Sequence, residues 1–158
     1  MTDDLALDRQ VCFALYSASR AATAAYRPLL EDLGLTYPQY LVMLTLWERD
    51  GRGVREICEE LDLDTGTLSP LLKRLEGLEL IERRRLSTDE RRVEIHLTSA
   101  GGALRDRAQD IPRRLAESTG MSGPELTALR EALTRVTQAL HDATRSPTHS
   151  PTPHRRNP

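Results

Sequence analysis

Apolar residues recur every three or four positions along most of this chain, which is the spacing of amphipathic helices. The first run predicts a helix from Leu5 to about Tyr26, with apolar positions at Leu7, Val11, Leu15 and Ala18. After a break at LGLTYP, Thr36 is the expected cap of a second helix, residues 37–50, whose apolar run YLVMLTLW indicates burial. On this pattern Cys12 lies beyond the first turn of its helix, where the helix dipole contributes little.

Two shorter helices follow, joined by a three-residue turn. The first is VREICEEL, residues 54–61, the turn is DLD, and the second begins near Asp64 and Thr65, either of which can cap it. The apolar stripe of the second helix consists of Leu68, Leu71, Leu72, Leu75 and Leu78. This arrangement is a helix-turn-helix pattern.

The periodicity then changes from that of a helix to that of a strand. In LIERRRLSTDERRVEIHLT, apolar Val93, Ile95 and Leu97 alternate with polar residues, which indicates a half-buried strand. The segment predicts a strand, a tight turn and a second strand, with arginines near the tip at Arg83, Arg84, Arg85, Arg91 and Arg92. A basic hairpin directly after a helix-turn-helix is a wing.

Two helical segments and a polar tail complete the chain. Thr98 and Ser99 are candidate caps for a helix that extends to about residue 118. Ser122 and Glu125 form a capping box for a last long helix. Its apolar stripe consists of Leu126, Leu129, Leu133, Val136 and Leu140. The tail, residues 146–158, is proline-rich and polar, and we expect it to be disordered.

The predicted fold class is mainly α with a small β-hairpin wing. We expect a single domain over residues 1–145, in which a winged helix-turn-helix, residues 36–98, is flanked by N- and C-terminal dimerisation helices, residues 5–35 and 99–143. The terminal helices are long and carry apolar stripes, so they would bury those stripes against a second copy in a homodimer.

Composition narrows the class of protein. The 158 residues carry a net charge of only −2, and Lys73 is the single lysine among 22 basic residues. No apolar stretch is long enough for a membrane span and the N-terminus does not resemble a signal peptide, so we expect a cytoplasmic protein without membrane contact. Its two cysteines, Cys12 and Cys58, are then expected to be reduced. The four histidines show no ligand spacing, and we predict neither a metal nor a cofactor.

The helix-turn-helix and the wing predict binding to double-stranded DNA. A recognition helix presents its early residues to base edges in the major groove, and small hydroxyl and basic side chains suit that role. The candidate DNA-binding residues of this helix are Thr65, Thr67, Ser69, Pro70, Lys73 and Arg74. On the wing, Arg91 is expected to enter the adjacent minor groove, with Asp89 orienting its guanidinium. The alternative is a solvated arginine hairpin on a helical core.

Residues 61–98, LDLDTGTLSPLLKRLEGLELIERRRLSTDERRVEIHLT, resemble the MarR family of winged-helix regulators, and the order of elements agrees from residue 5 to about 143. CFALYSASR, YRPLLEDLGLTYPQYLVMLTLWE and DIPRRL are similar to the organic hydroperoxide-sensing, OhrR-type branch. This resemblance implies that Cys12 senses peroxide and that Tyr26 and Tyr37 of the other subunit hold it. It also implies that Tyr16 lines the site.

The chemistry of Cys12 is consistent with that role. Only a thiolate reacts with peroxide, and two phenol donors would stabilise it by about 1.5–3 kcal/mol each. On one continuous helix Tyr26 lies about 21 Å from Cys12, so it either comes from another subunit or the helix breaks. Phe13 and neighbouring apolar side chains would favour organic hydroperoxides. The alternative interpretation is that Cys12 is a small core residue.

The second cysteine does not resemble the resolving cysteine that some members of the branch carry. The corresponding stretch, RRLAESTGMSG, contains no cysteine, and Cys58 lies on an apolar face of the helix-turn-helix, where we expect a core residue. Oxidised Cys12 is therefore expected to be capped by a low-molecular-weight thiol rather than by an internal disulfide.

The resulting hypothesis is a homodimeric repressor, not an enzyme, that binds a pseudo-palindromic operator and releases it when organic hydroperoxide oxidises Cys12. The first alternative is a MarR-type repressor released by a phenolic or lipophilic ligand, with no redox role for Cys12. A thiol peroxidase and a purely structural dimer module are further alternatives. The absence of a resolving cysteine and of a general base beside Cys12 argues against the peroxidase, and the arginine wing argues against the structural module.

Overall fold

The computed structural model describes residues 5–86 and 89–145, with residues 86 and 89–92 described by their backbone alone. The chain forms two compact units, Met1–Leu115 and Ala116–Pro158. Its elements in chain order are a 3₁₀ turn (Leu7–Arg9), α1 (Val11–Glu31), α2 (Tyr37–Glu48), β1 (Arg52–Gly53), α3 (Val54–Leu61), α4 (Thr65–Gly77), β2 (Ile81–Leu86), β3 (Asp89–Leu97), α5 (Ser99–Ala108), α6 (Ile111–Ser118) and α7 (Gly123–Arg145). The predicted fold class, mainly helical with a β-hairpin wing, is confirmed.

The start of α1 differs from the sequence-based expectation. Residues Ala6 and Gln10 are extended and enclose the 3₁₀ turn, so the α-helix begins only at Val11. The expectation that Cys12 lies beyond the first turn is therefore wrong, because Cys12 is the second residue of α1. The i, i+4 spacing of Leu7 and Val11 did not reveal the interruption, since it is compatible with a continuous helix. The helix then runs unbroken through the exposed Pro28 to Glu31.

Helix α2 forms the centre of the hydrophobic core. Thr36 and Gln39 form its capping box, in which the Thr36 amide donates to Gln39 Oε1 at 2.9 Å. The expected burial of this helix is confirmed for most of its apolar side chains, which are Tyr40, Val42, Met43, Leu46 and Trp47. Leu44 is 39% exposed, and Tyr37 and Leu41 are half-buried.

Helices α3 and α4 form the predicted helix-turn-helix. Asp62 ends α3 in the left-handed region at φ 54°, a conformation that short polar side chains tolerate, and Asp64 caps α4. Leu68, Leu72 and Leu75 are buried as expected. Leu78 is 48% exposed, because α4 ends at Gly77 before the stripe reaches it.

The wing belongs to a three-stranded antiparallel sheet rather than to a two-stranded hairpin. Its strand order is β1-β3-β2, and the short β1 pairs Arg52 with Ile95 and Gly53 with Glu94. Sequence analysis missed β1, since two residues are too few for a detectable alternation. The pairing joins the base of the wing to the start of α3.

Side chains and backbone groups connect α2, α5 and the wing around Gly101. The Trp47 indole donates to the Gly101 carbonyl at 2.8 Å, and the Gly101 amide donates to Thr98 Oγ1 at 3.0 Å. The Thr98 amide donates to the Leu80 carbonyl at 3.1 Å. A Cβ on residue 101 would overlap the Leu80 carbonyl oxygen, so only glycine fits here.

The helix expected from residue 99 to about 118 is two helices, α5 and α6. The break lies at Gln109 and Asp110, and Pro112 occupies the first turn of α6, where its missing amide leaves no bond unmade. The Thr98 cap of α5 is confirmed.

Helix α7 lies in the second compact unit and begins at the predicted capping box. The Ser122 amide donates to Glu125 Oε2 at 2.7 Å, and hydrogen bonds from Ser122, first from its hydroxyl, lower the pKa of the Glu125 carboxyl. Its apolar stripe carries exposed residues, among them Leu129, Leu133, Val136 and Leu140.

None of the helices in the described part of the chain is long and apolar enough to cross a lipid bilayer. Residues 5–86 and 89–145 also contain no group of three or more His, Cys, Asp or Glu side chains arranged to hold a metal ion. The tail predicted to be disordered, residues 146–158, lies outside the described residues.

The close packing at Gly101 predicts a contrast between two adjacent glycines of α5. Gly101→Ala should destabilise the fold by about 2–3 kcal/mol, because the methyl group overlaps main chain that cannot move aside. Gly102→Ala, where nothing lies within 4 Å of the added Cβ, should stabilise it by about 0.5–1 kcal/mol through helix propensity. Urea denaturation at one fixed protein concentration measures both, and equal effects of the two substitutions would contradict the packing.

Candidate functional site

Three tyrosines from α1 and α2 lie together in the unit that ends at Leu115. The rings of Tyr26 and Tyr37 are stacked, with centroids 4.3 Å apart and an interplanar angle of 23°. The Tyr40 ring lies 5.8 Å from that of Tyr26. Tyr26 and Tyr37 are half-buried, whereas Tyr40 is buried at 1% exposed. Two of the three phenols therefore keep accessible surface.

The surroundings of these tyrosines keep their phenols protonated. Burial, and after it the negative charge that Tyr37 and Tyr40 would carry, raises the pKa of Tyr26 to about 12. Burial also raises the pKa of Tyr37, and burial followed by the charge of Tyr37 raises that of Tyr40. At neutral pH each group is a neutral phenol that can donate a hydrogen bond. The cluster is thus suited to receive an anion.

Cys12 is an exposed free thiol on the first turn of α1. Amide groups at a helix N-terminus carry partial positive charge, which favours an anionic group such as a thiolate. Because α1 is unbroken from Val11 to Glu31, the thiol lies about 21 Å from Tyr26 of the same subunit. The structure therefore removes one of the two alternatives left by the sequence, since the helix does not break. Cys12 and the tyrosine pair do not meet within one subunit.

The other two residues expected in the sensor pocket lie on the same early turns of α1 as Cys12. Phe13 is 40% exposed and Tyr16 is 58% exposed. The Arg20 guanidinium donates to the Tyr16 hydroxyl at 2.9 Å and lies 5.6 Å from the centre of its ring. Cys12, Phe13 and Tyr16 thus form one exposed surface, while Tyr26 and Tyr37 form another.

The start of α4 is shaped by its cap. Asp64 accepts hydrogen bonds from the Thr67 amide at 2.8 Å and from the Thr67 hydroxyl at 2.7 Å. These bonds, the hydroxyl first and then the amide, lower the pKa of the Asp64 carboxyl. The cap fixes the first turn of the helix, on which Thr65 and Thr67 are both exposed.

The hydroxyl groups of Thr67 and Ser69 donate hydrogen bonds to neighbouring residues of the same segment. Thr67 donates to Asp64, and Ser69 donates to the Thr65 carbonyl at 2.7 Å. The lone pairs of both oxygens remain available, so these side chains are suited to accept from base-edge amino groups. The remaining candidates, Pro70, Lys73 and Arg74, are exposed on the same helix.

On the wing, two arginines are paired with glutamates. Arg83 Nε donates to Glu76 of α4 at 3.3 Å, and Arg84 Nε donates to Glu82 at 2.7 Å. Arg85 is exposed. Asp89 and Arg91 belong to β3 by their backbone, but their side chains lie outside the described residues, so their roles stay predictions.

Comparison with known proteins agrees with this architecture. A family model described as transcriptional regulator SarA/Rot matches residues 24–107. The organic hydroperoxide resistance transcriptional regulator of Bacillus subtilis is 45% identical over 139 residues, 88% of this chain and 95% of the relative. The HTH-type transcriptional regulator TtmR of Methylorubrum extorquens is 47% identical over 139 residues, covering 88% of this chain and 71% of the relative.

A DNA-bound structure is also similar. Reduced AbfR bound to DNA superimposes with a TM-score of 0.71 at 34% identity, covering 85% of this chain and 94% of AbfR, a protein of Staphylococcus epidermidis. This chain is a member of the MarR-type family of winged-helix transcriptional regulators. The family predicted from residues 61–98 is confirmed, and the similarity to the Bacillus relative confirms the narrower resemblance to the hydroperoxide-sensing branch.

The sequence did not predict two aromatic residues that lie beside the tyrosine pair. The ring of Tyr40 lies beside that of Tyr26, and the centroid of the Trp47 ring lies 6.1 Å from that of Tyr40. Their signal was available, because Tyr37, Tyr40, Leu44 and Trp47 are spaced along one face of α2. The expectation for Cys58 is confirmed: it is buried at 7% exposed, with Sγ 4.0 Å from the Thr65 hydroxyl.

The raised pKa of Tyr26 predicts a distinct alkaline titration. In the folded regulator, one step in phenolate absorbance should occur near pH 12, and Tyr26→Phe should remove it. The folded state holds the Tyr26 proton more tightly than the unfolded chain does, because the folded pKa lies above the ordinary value of 10. The contribution of Tyr26 to the free energy of unfolding is therefore complete below pH 10 and is lost as the pH rises from 10 to 12.

Tyr37→Phe is the matched control for this titration. It removes one of the charges that raise the pKa of Tyr26, so the Tyr26 step should move to lower pH without reaching 10, since burial is the larger cause. If the high-pH step survives Tyr26→Phe unchanged, the assignment to Tyr26 is wrong.

Proposed function

We propose that this regulator is a homodimeric repressor that binds a pseudo-palindromic operator while Cys12 is reduced and releases it after organic hydroperoxide oxidises Cys12. The observation that carries the proposal is the placement of the Cys12 thiol and the Tyr26 phenol on one unbroken helix, about 21 Å apart, with Tyr37 of α2 stacked on Tyr26. Neither surface is a complete site alone. In a two-fold dimer each Cys12 can meet the phenols of the other subunit, which gives two equivalent sites.

The tyrosine pair would hold Cys12 as a thiolate. Tyr26 and Tyr37 are protonated at neutral pH and keep accessible surface, so each can donate a hydrogen bond to the sulfur. Such bonds to a charged acceptor contribute about 1.5–3 kcal/mol each. The helix N-terminus acts in the same direction. Phe13 adds apolar surface for the organic part of the peroxide, and Tyr16, on the same early turns of α1, lines the pocket.

The reaction is a displacement at oxygen. The thiolate attacks the terminal oxygen of the hydroperoxide, a sulfur–oxygen bond forms, the oxygen–oxygen bond breaks, and the leaving alkoxide takes up a proton as the alcohol. Cys12 becomes a sulfenic acid, and a low-molecular-weight thiol then condenses with it to a mixed disulfide and water. Oxidation removes the negative charge that the phenols stabilised, and the cap adds bulk at the dimer junction.

For DNA binding, α4 would lie in the major groove of each half-site. Thr65, Thr67, Ser69 and Pro70 lie on its first turns, followed by Lys73 and Arg74 for bases or phosphates. We assign Arg91 of the wing to the minor groove, with Asp89 as its orienting carboxylate. The similarity to AbfR, solved reduced and bound to DNA, supports this use of the fold.

The domain roles follow from the same proposal. Residues 1–145 act as one functional domain, with residues 5–35 and 99–143 forming the dimer and residues 36–98 binding DNA. The exposed apolar residues of α1 and α7 support the dimer. A DNA-binding repressor works where the DNA is, so we assign it to the cytoplasm. Since the matched relatives are transcriptional regulators, we assign it no catalytic turnover.

Release by peroxide is tested on the DNA upstream of the regulator's own gene. Stoichiometric cumene hydroperoxide should weaken binding of the wild type roughly 10- to 100-fold, the range of ordinary allosteric coupling, measured by fluorescence anisotropy. Cys12→Ser should bind and not release. Cys58→Ala, which removes the buried thiol, should release like the wild type. If peroxide releases Cys12→Ser as well, Cys12 is not the switch and a small-ligand repressor becomes the better hypothesis.

The phosphate role of α4 is tested by salt dependence. Lys73→Ala should weaken binding to all sequences similarly and should reduce the slope of log affinity against log salt by about 2 per dimer, one phosphate per subunit. Arg130→Ala on α7 makes the same change in charge and should leave the slope unaltered. An unchanged slope for Lys73→Ala would remove that residue from the interface.

A further inference from the structure

A groove of about 280 Å³ lies between α2, α5 and the start of α6. Its apolar lining includes Tyr40, Leu44 and Trp47. Leu44 is 39% exposed, whereas Tyr40 and Trp47 are buried at 1% and 9% exposed. The buried rings of Tyr40 and Trp47 thus form the bottom of the groove, and Leu44 is exposed to solvent. Arg105 and Glu48 add charged groups to the lining.

This groove continues the tyrosine pair along α2. Tyr37, Tyr40, Leu44 and Trp47 lie on one face of the helix because they are three or four residues apart. The ring of Tyr40 lies 5.8 Å from Tyr26 and 6.1 Å from Trp47. One face of α2 therefore carries Tyr37, with Tyr26 of α1 stacked on it, at its start and the groove further along.

The segment before Cys12 carries apolar side chains that the subunit leaves exposed. Residues 5–11, called the arm here, contain Leu5, Leu7 and Val11 at 89%, 60% and 67% exposed. The 3₁₀ turn within the arm buries none of its residues. The arm precedes Cys12 on the chain, and α1 is unbroken from Val11 to Glu31, so the arm lies more than about 20 Å from Tyr26 of its own subunit.

We propose that the arm of each subunit lies in the α2–α5 groove of its partner. The proposal rests on the proposed function, in which Cys12 meets the tyrosine pair of the partner subunit. A Cys12 fixed at that pair places the preceding residues of the same chain beside the adjoining α2 face. The occupant of the groove is therefore a second copy of this chain, and the groove and the sensor pocket form one continuous interface.

The distance from Leu7 to Cys12 on one subunit is similar to the distance from Leu44 to Tyr37 on the other, as this placement requires. Leu7 precedes Cys12 by five residues, which span about 10 Å through the 3₁₀ turn, the extended Gln10 and the start of α1. Leu44 follows Tyr37 by seven residues of α2, also about 10 Å. With Cys12 beside Tyr37, Leu7 then reaches the exposed Leu44. Asp8 of the arm and Arg105 of the groove have opposite charges, which favours the same placement.

The arrangement supplies a route from the thiol to the winged helix. Trp47 in the groove floor donates to Gly101, which is packed against Leu80 immediately before the wing. An arm displaced by oxidation of Cys12 uncovers Leu44 and so alters the surroundings of the contact between α2 and α5. The arm thereby links the redox state of Cys12 to the position of the DNA-binding elements.

Engineered disulfides test this placement in the full chain. In a Cys12→Ser background, Leu7→Cys with Leu44→Cys should form an intersubunit disulfide under copper phenanthroline, giving a dimer band on a non-reducing gel that a reductant abolishes. Leu7→Cys with Leu78→Cys is the matched control, since Leu78 is 48% exposed directly after α4 and is not among the residues that line the groove. That pair, and Leu7→Cys alone, should remain monomer bands.

Sedimentation of the same samples before oxidation separates the two proposals. A dimer without the Leu7–Leu44 cross-link overturns the arm placement and leaves the dimeric sensor intact. A disulfide formed within one chain, seen as a faster monomer band, also overturns it. A monomer in sedimentation overturns the dimeric sensor and the arm placement together.

Discussion

The distance that helix α1 imposes between Cys12 and Tyr26 is the constraint on which the regulator's chemistry depends. Twenty-one residues run without interruption from Val11 to Glu31, and such a helix cannot bring its two ends together. A thiol at one end and a phenol pair at the other make each subunit an incomplete site. In the proposed dimer, association of the two subunits assembles the sensor, so the reactive centre and the DNA-binding assembly depend on the same contact.

The helix also prepares each half of that site. Its N-terminus provides exposed amide dipoles next to Cys12. Near its other end it packs Tyr26 on Tyr37, where burial holds the phenols in their protonated, donating form well above neutral pH. In the proposed dimer, the thiolate of one subunit thus meets the phenol donors of the other. Oxidation weakens these hydrogen bonds, because a neutral sulfenic acid is a weaker acceptor for the phenol donors than a thiolate is.

A second set of interactions connects the DNA-binding elements to helix α2. Arg52 is buried at 6% exposed and pairs with Glu48 of α2 and with Glu56 and Glu60 of α3. These ion pairs connect the end of α2 to α3, the first helix of the helix-turn-helix. The bond from Trp47 to Gly101 and the contact of Gly101 with Leu80 join α5 and the wing to the same helix. Helix α2 is therefore connected to both the sensor and the DNA-binding elements.

The sequence by itself determined the elements whose signals are local. The capping box at Thr36, the Asp64 cap, the Ser122 and Glu125 pair, the helix-turn-helix and the alternating strand of the wing follow from side chains a few residues apart, and all appear in the structure. Tertiary structure decided the features that depend on contacts between residues far apart in the sequence. The two-residue β1 exists because β3 pairs with it, and Arg52 is buried because three glutamates from two helices surround it. The folded chain likewise decided that α1 begins at Val11, which places Cys12 in the first turn, since periodicity cannot distinguish a 3₁₀ turn from an α-turn. It also decided the stacking of Tyr26 on Tyr37, because periodicity does not show which residues of two helices come into contact.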